Sequence, residues 1–236
     1  MPFSKYIIGK GFIAKNLLKI KKEIIKSEFI FYAAGISNSK INSKYELNKE
    51  IYRFKKFATK NRKNKIIYIS TADITNNLKN NSKYVKNKIK IERIIKKQFK
   101  NYIILRLPQI IGKSKNHNTL INFFYNKIKN KKRIKLYSNV KRNILDITDV
   151  LKMIKIIISN KNIKNKIIVL SNKYSIKPIQ IIRIFEKKLN TKANFNYVKS
   201  STQQWKLDFK KNFKFFNKAN IIFTKNYLFN SIKKYY

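Results

Sequence analysis

The chain has 236 residues, enough for one domain with a full core or for one domain with a small appended lobe. With no cysteine it holds no disulfide framework, no thiolate zinc site and no cysteine nucleophile, and no apolar run approaches the ~18 residues that span a bilayer, so a soluble, cytoplasmic protein is expected. Lys and Arg number 57 against 10 acids, a net charge of +47; only seven of the 57 are arginine, and the lysines are spread along the whole chain. That distribution fits a drift toward Lys, Ile and Asn, which share A/T-rich codons, better than a nucleic-acid interface, where arginine supplies bidentate contacts. A field this positive still attracts polyanions without specificity.

In chain order, Lys5–Ile8 reads as a short strand that enters a glycine turn, which is not the pattern of a signal peptide. Phe12 to about Lys26 carries Ile13, Leu17, Ile20 and Ile24 at helical spacing. Phe29–Ala34 is an apolar strand ended by Gly35, Tyr45–Lys60 a helix, and Lys65–Ser70 a third strand. Tyr84–Lys100 is a helix with Ile89, Ile91, Ile94, Ile95 and Phe99, and Tyr102–Leu107 a strand stopped by Pro108. Asn118–Lys129 is helical, Ile144–Ile147 strand-like, Asp149–Ile158 helical, and Ile167–Leu170 a fifth core strand. Strands alternating with helices predict a parallel sheet covered on both faces. The last third is richer in Lys, Asn and Phe and less regular, which suits a small lobe.

Two motifs carry chemistry. Gly9-Lys10-Gly11-Phe12-Ile13-Ala14, between a strand and a helix, has the G-x-G-x-x-A form of a dinucleotide fingerprint. Gly9 permits the tight turn, Gly11 lets a pyrophosphate approach the backbone, and Ala14 allows close helix–strand packing. Two of the chain's four glycines fall in this turn. Tyr84 and Lys88, four residues apart, share a helix face, and an ammonium beside a phenol lowers the phenol's pKa toward a useful range. The single histidine, His117, reads as a loop or surface residue, Trp205 as a packing residue of the lobe, and the scattered acids suggest no metal site.

Taken in order, these segments resemble the extended short-chain dehydrogenase/reductases, also called the NAD-dependent epimerase/dehydratase family. The resemblance runs from residue 6 to about 172. Phe29–Gly35 is similar to the family's strand and Ala-Ala-Gly turn beside the cofactor. Leu47-Asn48 resembles a helix position where the family often has asparagine. Ile69-Ser70-Thr71-Ala72 resembles the strand end that supplies the catalytic Ser or Thr. Tyr84, Lys88 and Glu92 fit its Tyr-x-x-x-Lys-x-x-x-Glu pattern. Ile104–Gly112 resembles the following strand and loop, with Gln109 where an asparagine is common, and Arg142–Asp149 the late motif whose arginine meets sugar-nucleotide phosphates.

The resemblance implies a Rossmann-like, doubly wound parallel sheet over residues 1–172, to which a small C-terminal substrate lobe, 173–236, is added, with part of 108–150 contributing to that lobe. It implies NAD or NADP held by Gly9, Gly11, Phe12, Ile13, Ala33, Ala34, Gly35 and Lys88. Thr71, Tyr84 and Lys88 would be catalytic, and Asn48, Gln109 and Arg142 would bind a nucleotide-linked sugar. Epimerisation, dehydration or reduction of that sugar, in the synthesis of surface polysaccharide, would be the activity, and a homodimer is compatible with it. One departure bears on the fold. Only 17 residues separate Gly11 from Phe29, room for a single helix where the family has two further strands, and Glu28 stands at the wrong end of its strand to hold an adenosine ribose. The sheet is therefore expected to be shortened on the adenosine side. The competing reading is a non-catalytic relative of the same fold that binds RNA or a protein partner.

Overall fold

The computed structural model describes residues 5–75, 82–114, 116, 119–199, 207, 209 and 213–236; His117 and Trp205 lie outside them. Strand β1 is Ile7–Ile8, shorter than expected. The predicted first helix is bent into two, α1 (Phe12–Leu17) and α2 (Lys21–Ser27), by a tight turn over Leu18–Ile20. The bend is at Ile20 (φ −118°, ψ 28°), and it keeps Ala14, Leu17, Ile20 and Ile24 on one buried side. Glu28, in the left-handed conformation at φ 62°, stops α2 and turns the chain into β2 (Phe29–Tyr32). Helix α3 (Lys44–Asn61) starts at Ser43, whose hydroxyl accepts from Glu46 N at 3.3 Å. Strand β3 (Lys65–Thr71) is followed by α4 (Lys83–Gln98), capped in the same way by Ser82.

Strands β4 (Tyr102–Leu107) and β5 (Gln109–Ile111) are separated by Pro108, which cannot donate to a ladder. Helix α5 (Leu120–Lys129), β6 (Ile134–Tyr137) and β7 (Arg142–Asp146) follow, then α6 (Ile147–Ser159). Asp146, rather than Asp149, opens α6: its carboxylate accepts from Thr148 N at 2.8 Å. The remainder is β8 (Lys166–Val169), β9 (Ser175–Ile176), α7 (Pro178–Leu189), β10 (Phe195–Val198), α8 (Phe213–Lys218) and α9 (Tyr227–Tyr235).

The main sheet is parallel, in the order β1-β2-β3-β4-β8. Side-chain alternation along β3 divides its two faces. Ile67 joins Ala14, Leu17, Val150 and Ile154 of α1 and α6, whereas Ile66 and Tyr68 join Phe54, Ile91 and Ile95 of α3 and α4. Strands β1 to β4 lie in sequence order, yet α1–α2 covers one face while α3 and α4 cover the other. Connections that step the same way across a sheet on opposite faces have opposite hands, so the uncommon left-handed form occurs here. The short segment between Gly11 and Phe29 explains it: one helix must deliver the chain straight to the neighbouring strand. Because the connections leave β1 and β2 toward opposite faces, their carboxyl ends open onto a crevice, the usual ligand position in such sheets.

A second core forms from Ile121, Phe124, Ile134, Ile181 and Phe185, where α5 and α7 pack over the parallel pair β6–β10. The tail contributes to both cores: Phe215 and Phe216 pack on α6, and Leu228 and Ile232 of α9 enter the second core. Tyr227 pins α9 to the start of α6, accepting from Asp146 N at 2.8 Å and donating to Asp149 Oδ2 at 2.7 Å. Among the described residues no helix is long and apolar enough to cross a membrane.

Candidate active site

The two glycines of the first turn are needed for different reasons. Gly9 has φ 137°, and a Cβ there would lie 2.6 Å from the carbonyl oxygen of Ala33 and 2.9 Å from Ala34 N, an approach of backbone to backbone that only glycine permits. The peptide N–H of Ala33 donates to Ile8 O at 2.8 Å and fixes this approach. Gly11, at the start of α1, has open space: an added Cβ would meet nothing within 4 Å. Packing does not require glycine at that position, whereas a ligand lying against the backbone would. Ala14 is fully buried at the third position of the motif, and Phe12 and Ile13 are half-buried beside it. Gly35 follows β2, where a side chain would strike Lys88 Nζ and come within 2.9 Å of Glu50 Oε1. Gly112 follows β5, 2.7 Å in the same sense from both Phe12 and Ile147. Each of the four glycines thus stands at a turn that leaves the carboxyl end of a strand.

Thr71 closes β3 at this end, and the first turns of α4 bring Tyr84 and Lys88 to it. Thr71 Oγ1 accepts from Asp73 N at 3.2 Å, and its hydroxyl is a hydrogen-bonding neighbour of both the Tyr84 phenol and the Asp73 carboxyl. Lys88 Nζ lies 5.3 Å from the Tyr84 ring centroid and 5.8 Å from that of Tyr68. The expected trio is therefore one cluster, buried at all three positions.

The electrostatics differ from the expectation that Lys88 makes the phenol more acidic. The Tyr84 pKa is pushed well up: burial is the largest cause, and the Asp73 and Glu50 carboxylates add to it, while the Thr71 hydrogen bond works the other way. Lys88 does not reverse this because its ammonium is already paired, 2.8 Å from Glu50 Oε1. In the free protein Tyr84 is a firmly protonated phenol, a proton donor first.

Two residues of this cluster, Glu50 and Asp73, carry no signal that sequence reasoning used; a third, Arg142, is one that the resemblance implied. Glu50, from α3, pairs with Lys88 and accepts from Asn87 Nδ2 at 2.7 Å. Asp73 follows Thr71; burial raises its pKa, with the nearby Arg142 guanidinium opposing, and its Oδ1 is buried with no hydrogen-bond partner. Arg142 opens β7 beside Asp73, half-buried, and burial lowers its own pKa. Gln109 is half-buried at the head of β5, in register with Ile144. Asn48 is not brought to the crevice. It is exposed on α3, whose inward positions are Leu47, Glu50, Phe54 and Ala58, so the helical phase selects Glu50 instead. Glu28 is exposed at the amino end of β2, paired with Lys65 at 2.7 Å.

A cavity of about 470 Å³ lies away from this cluster, at the carboxyl end of α6, lined by Ser159, Asn160, Lys161, Lys214, Phe215 and Lys218. Its lysines invite anions, but the negative end of the α6 dipole opposes them.

No protein-family model matches the sequence, and no curated protein matches it either. Solved structures match the fold. A UDP-glucuronic acid 4-epimerase from Bacillus cereus, in complex with NAD, superposes with TM-score 0.68 over 97% of this chain and 88% of its own, at 15% identity. A dTDP-glucose 4,6-dehydratase from Bacillus anthracis str. Ames, in complex with NAD, gives 0.65 over 95% and 79%, at 16% identity. RMD from Pseudomonas aeruginosa, complexed with NADPH, gives 0.66 over 88% and 80%, at 12% identity. The chain therefore has the Rossmann-like fold of these structures, in a shortened form.

Proposed function

We propose that this chain is a nicotinamide-nucleotide-dependent enzyme that acts on a nucleotide-linked sugar, with Thr71, Tyr84 and Lys88 at the reacting centre. The observation that carries the reading is the meeting of the Thr71 hydroxyl, the Tyr84 phenol and the Lys88 ammonium at the crevice onto which the Gly9–Gly11 turn also opens. The open space at Gly11 suits a dinucleotide lying against the backbone, with Ala33, Ala34 and Gly35 forming the opposite wall. When bound, the nicotinamide ring supplies or accepts a hydride.

The protein's own part is to place and protonate an oxygen. Tyr84 donates its proton to a sugar carbonyl oxygen, or recovers it when a sugar hydroxyl is oxidised. Thr71 donates a hydrogen bond to the same oxygen and holds it in line with the phenol. Lys88 supplies a fixed positive charge beneath the ring of Tyr84. Asp73, a carboxyl with an unpartnered oxygen next to the phenol, is a second proton-exchanging group on the substrate side. Arg142 and Gln109 face the substrate, where a guanidinium suits a diphosphate. An activated sugar modified in this way would enter surface polysaccharide.

The test combines binding and turnover. Thermal shift and fluorescence titration with NADH and NADPH should show a saturable complex. Tyr84→Phe should lower turnover of UDP- or dTDP-linked sugars by at least ~100-fold. It deletes one oxygen and little volume, so nucleotide affinity should be kept. Full turnover by Tyr84→Phe would remove the assignment.

A further inference from the structure

Lys88 and Glu50 are the two most deeply buried members of an ion pair among the described residues, with side chains 3% and 1% exposed. Glu50 Oε1 accepts from Lys88 Nζ at 2.8 Å and from the peptide N–H of Ile36 at 3.0 Å, and Oε2 accepts from Asn87 Nδ2 at 2.7 Å. Asn87 Nδ2 also donates to Leu47 O at 3.3 Å. Two helices and the turn after β2 thus converge on one carboxylate, and Gly35 leaves the room for it. We infer that Glu50 is a positioning residue that keeps the buried Lys88 an ammonium and clamps the turn after β2 to α4, so that Tyr84, Lys88 and the glycine turn hold one geometry.

A lysine this deeply buried tends to lose its proton; burial lowers the pKa of Lys88, and Glu50 draws it back up through both charge and hydrogen bond. The other groups facing Lys88 cannot replace Glu50. Tyr84 from its own helix and Tyr68 from β3 are phenols whose pKa values are pushed up. Tyr32 from β2, beside Glu50, is pushed up to about 12 by burial, with Arg53 opposing. Glu92, one turn further along α4, is engaged by Arg106 and Ser70. The role rests on reading Tyr84 and Lys88 as the reacting pair, but its test does not use turnover.

The experiment compares thermal unfolding of the whole chain and of Glu50→Gln from about pH 6 to about pH 9. Glutamine keeps an acceptor for Ile36 and removes the charge, so the pKa of Lys88 in the folded state falls further. The unfolded chain then binds a proton that the folded chain refuses. That cost is full below the folded pKa and disappears as pH rises toward the unfolded lysine value of about 10.4. The expected Tm deficit is on the order of 10 °C near pH 6 and shrinks steadily toward pH 9. A deficit that stays constant with pH would reduce Glu50 to a hydrogen-bond acceptor and overturn the inference. Glu50→Gln/Lys88→Met provides the second arm: it should unfold near the wild-type temperature, whether or not the single variant folds. A double variant as unstable as the single one, or unfolded like it, overturns the inference too. Full turnover in Tyr84→Phe would sink the reading of the site and leave the clamp; a pH-independent deficit would sink the clamp and leave the reading.

Discussion

Helix α4 carries two ion pairs on its buried side, one turn apart, and they are built differently. Glu92 receives a two-pronged contact from Arg106, Nε to Oε1 at 3.0 Å and Nη2 to Oε2 at 2.6 Å, and the Ser70 hydroxyl donates to Oε1 at 2.7 Å. Glu50 receives the single ammonium of Lys88 and spends its remaining capacity on Asn87 and a peptide N–H. The planar fork of arginine fixes orientation and, with Ser70, ties α4 to β3 and β4. The ammonium is a point charge on a flexible stem, beside a phenol at a crevice. One helix face therefore shifts, within a single turn, from fastening the fold to flanking the proposed reacting centre. What separates the two is the partner: a strand arginine and serine for Glu92, a carboxylate from α3 for Lys88.

The comparison can be broken at its structural end first. Glu92→Gln leaves the half-buried Arg106 without its countercharge and should cost ~3–5 kcal/mol in denaturant unfolding. Loss of turnover without loss of stability in that variant would move Glu92 into the reacting centre and erase the distinction. A smaller effect, ~1–2 kcal/mol, is expected from Arg106→Lys, which keeps the charge and forfeits the fork. The same exchange at the other pair, Lys88→Arg, should cost stability through overpacking under Gly35 rather than through lost geometry. The glycine turn separates in the same manner. Gly9→Ala places a Cβ against Ala33 at φ 137° and should lose ~2–3 kcal/mol, while Gly11→Ala should unfold within ~0.5 kcal/mol of wild type and lose nucleotide affinity. Equal destabilisation by the two would mean that the turn is only structural. Tyr84→Phe comes last, with a stability change under ~1 kcal/mol, because a single hydrogen bond to Thr71 is removed.

Much of this region was legible in one dimension. The turn at Gly9 and Gly11 announces itself because glycine is rare in this chain and because a strand leads in and a helix leads out. Thr71, Tyr84 and Lys88 are close neighbours in sequence, one strand end and one helix turn, so local periodicity brings them together. The placement of Asn48 is local as well: the buried positions Leu47, Phe54 and Ala58 set the phase of α3, which turns Glu50 inward and leaves Asn48 exposed. Glu50 itself was not legible, because its meaning depends on Lys88, 38 residues away and on another helix.

The sequence by itself determined the elements of the main sheet, the parallel α/β class and the direct passage from β1 to β2 without a further strand, because hydrophobic period, glycine position and segment length are local quantities. It did not determine the pairing of β6 with β10, separated by some sixty residues of chain, nor the return of Phe215 and Phe216 to α6. Nor did it determine the state of Tyr84. A lysine four residues along predicts a more acidic phenol, but the protein encloses that phenol, sets Asp73 beside it and cancels Lys88 with Glu50. Burial and long-range charge are properties of packed volume, and only the tertiary structure assigns them.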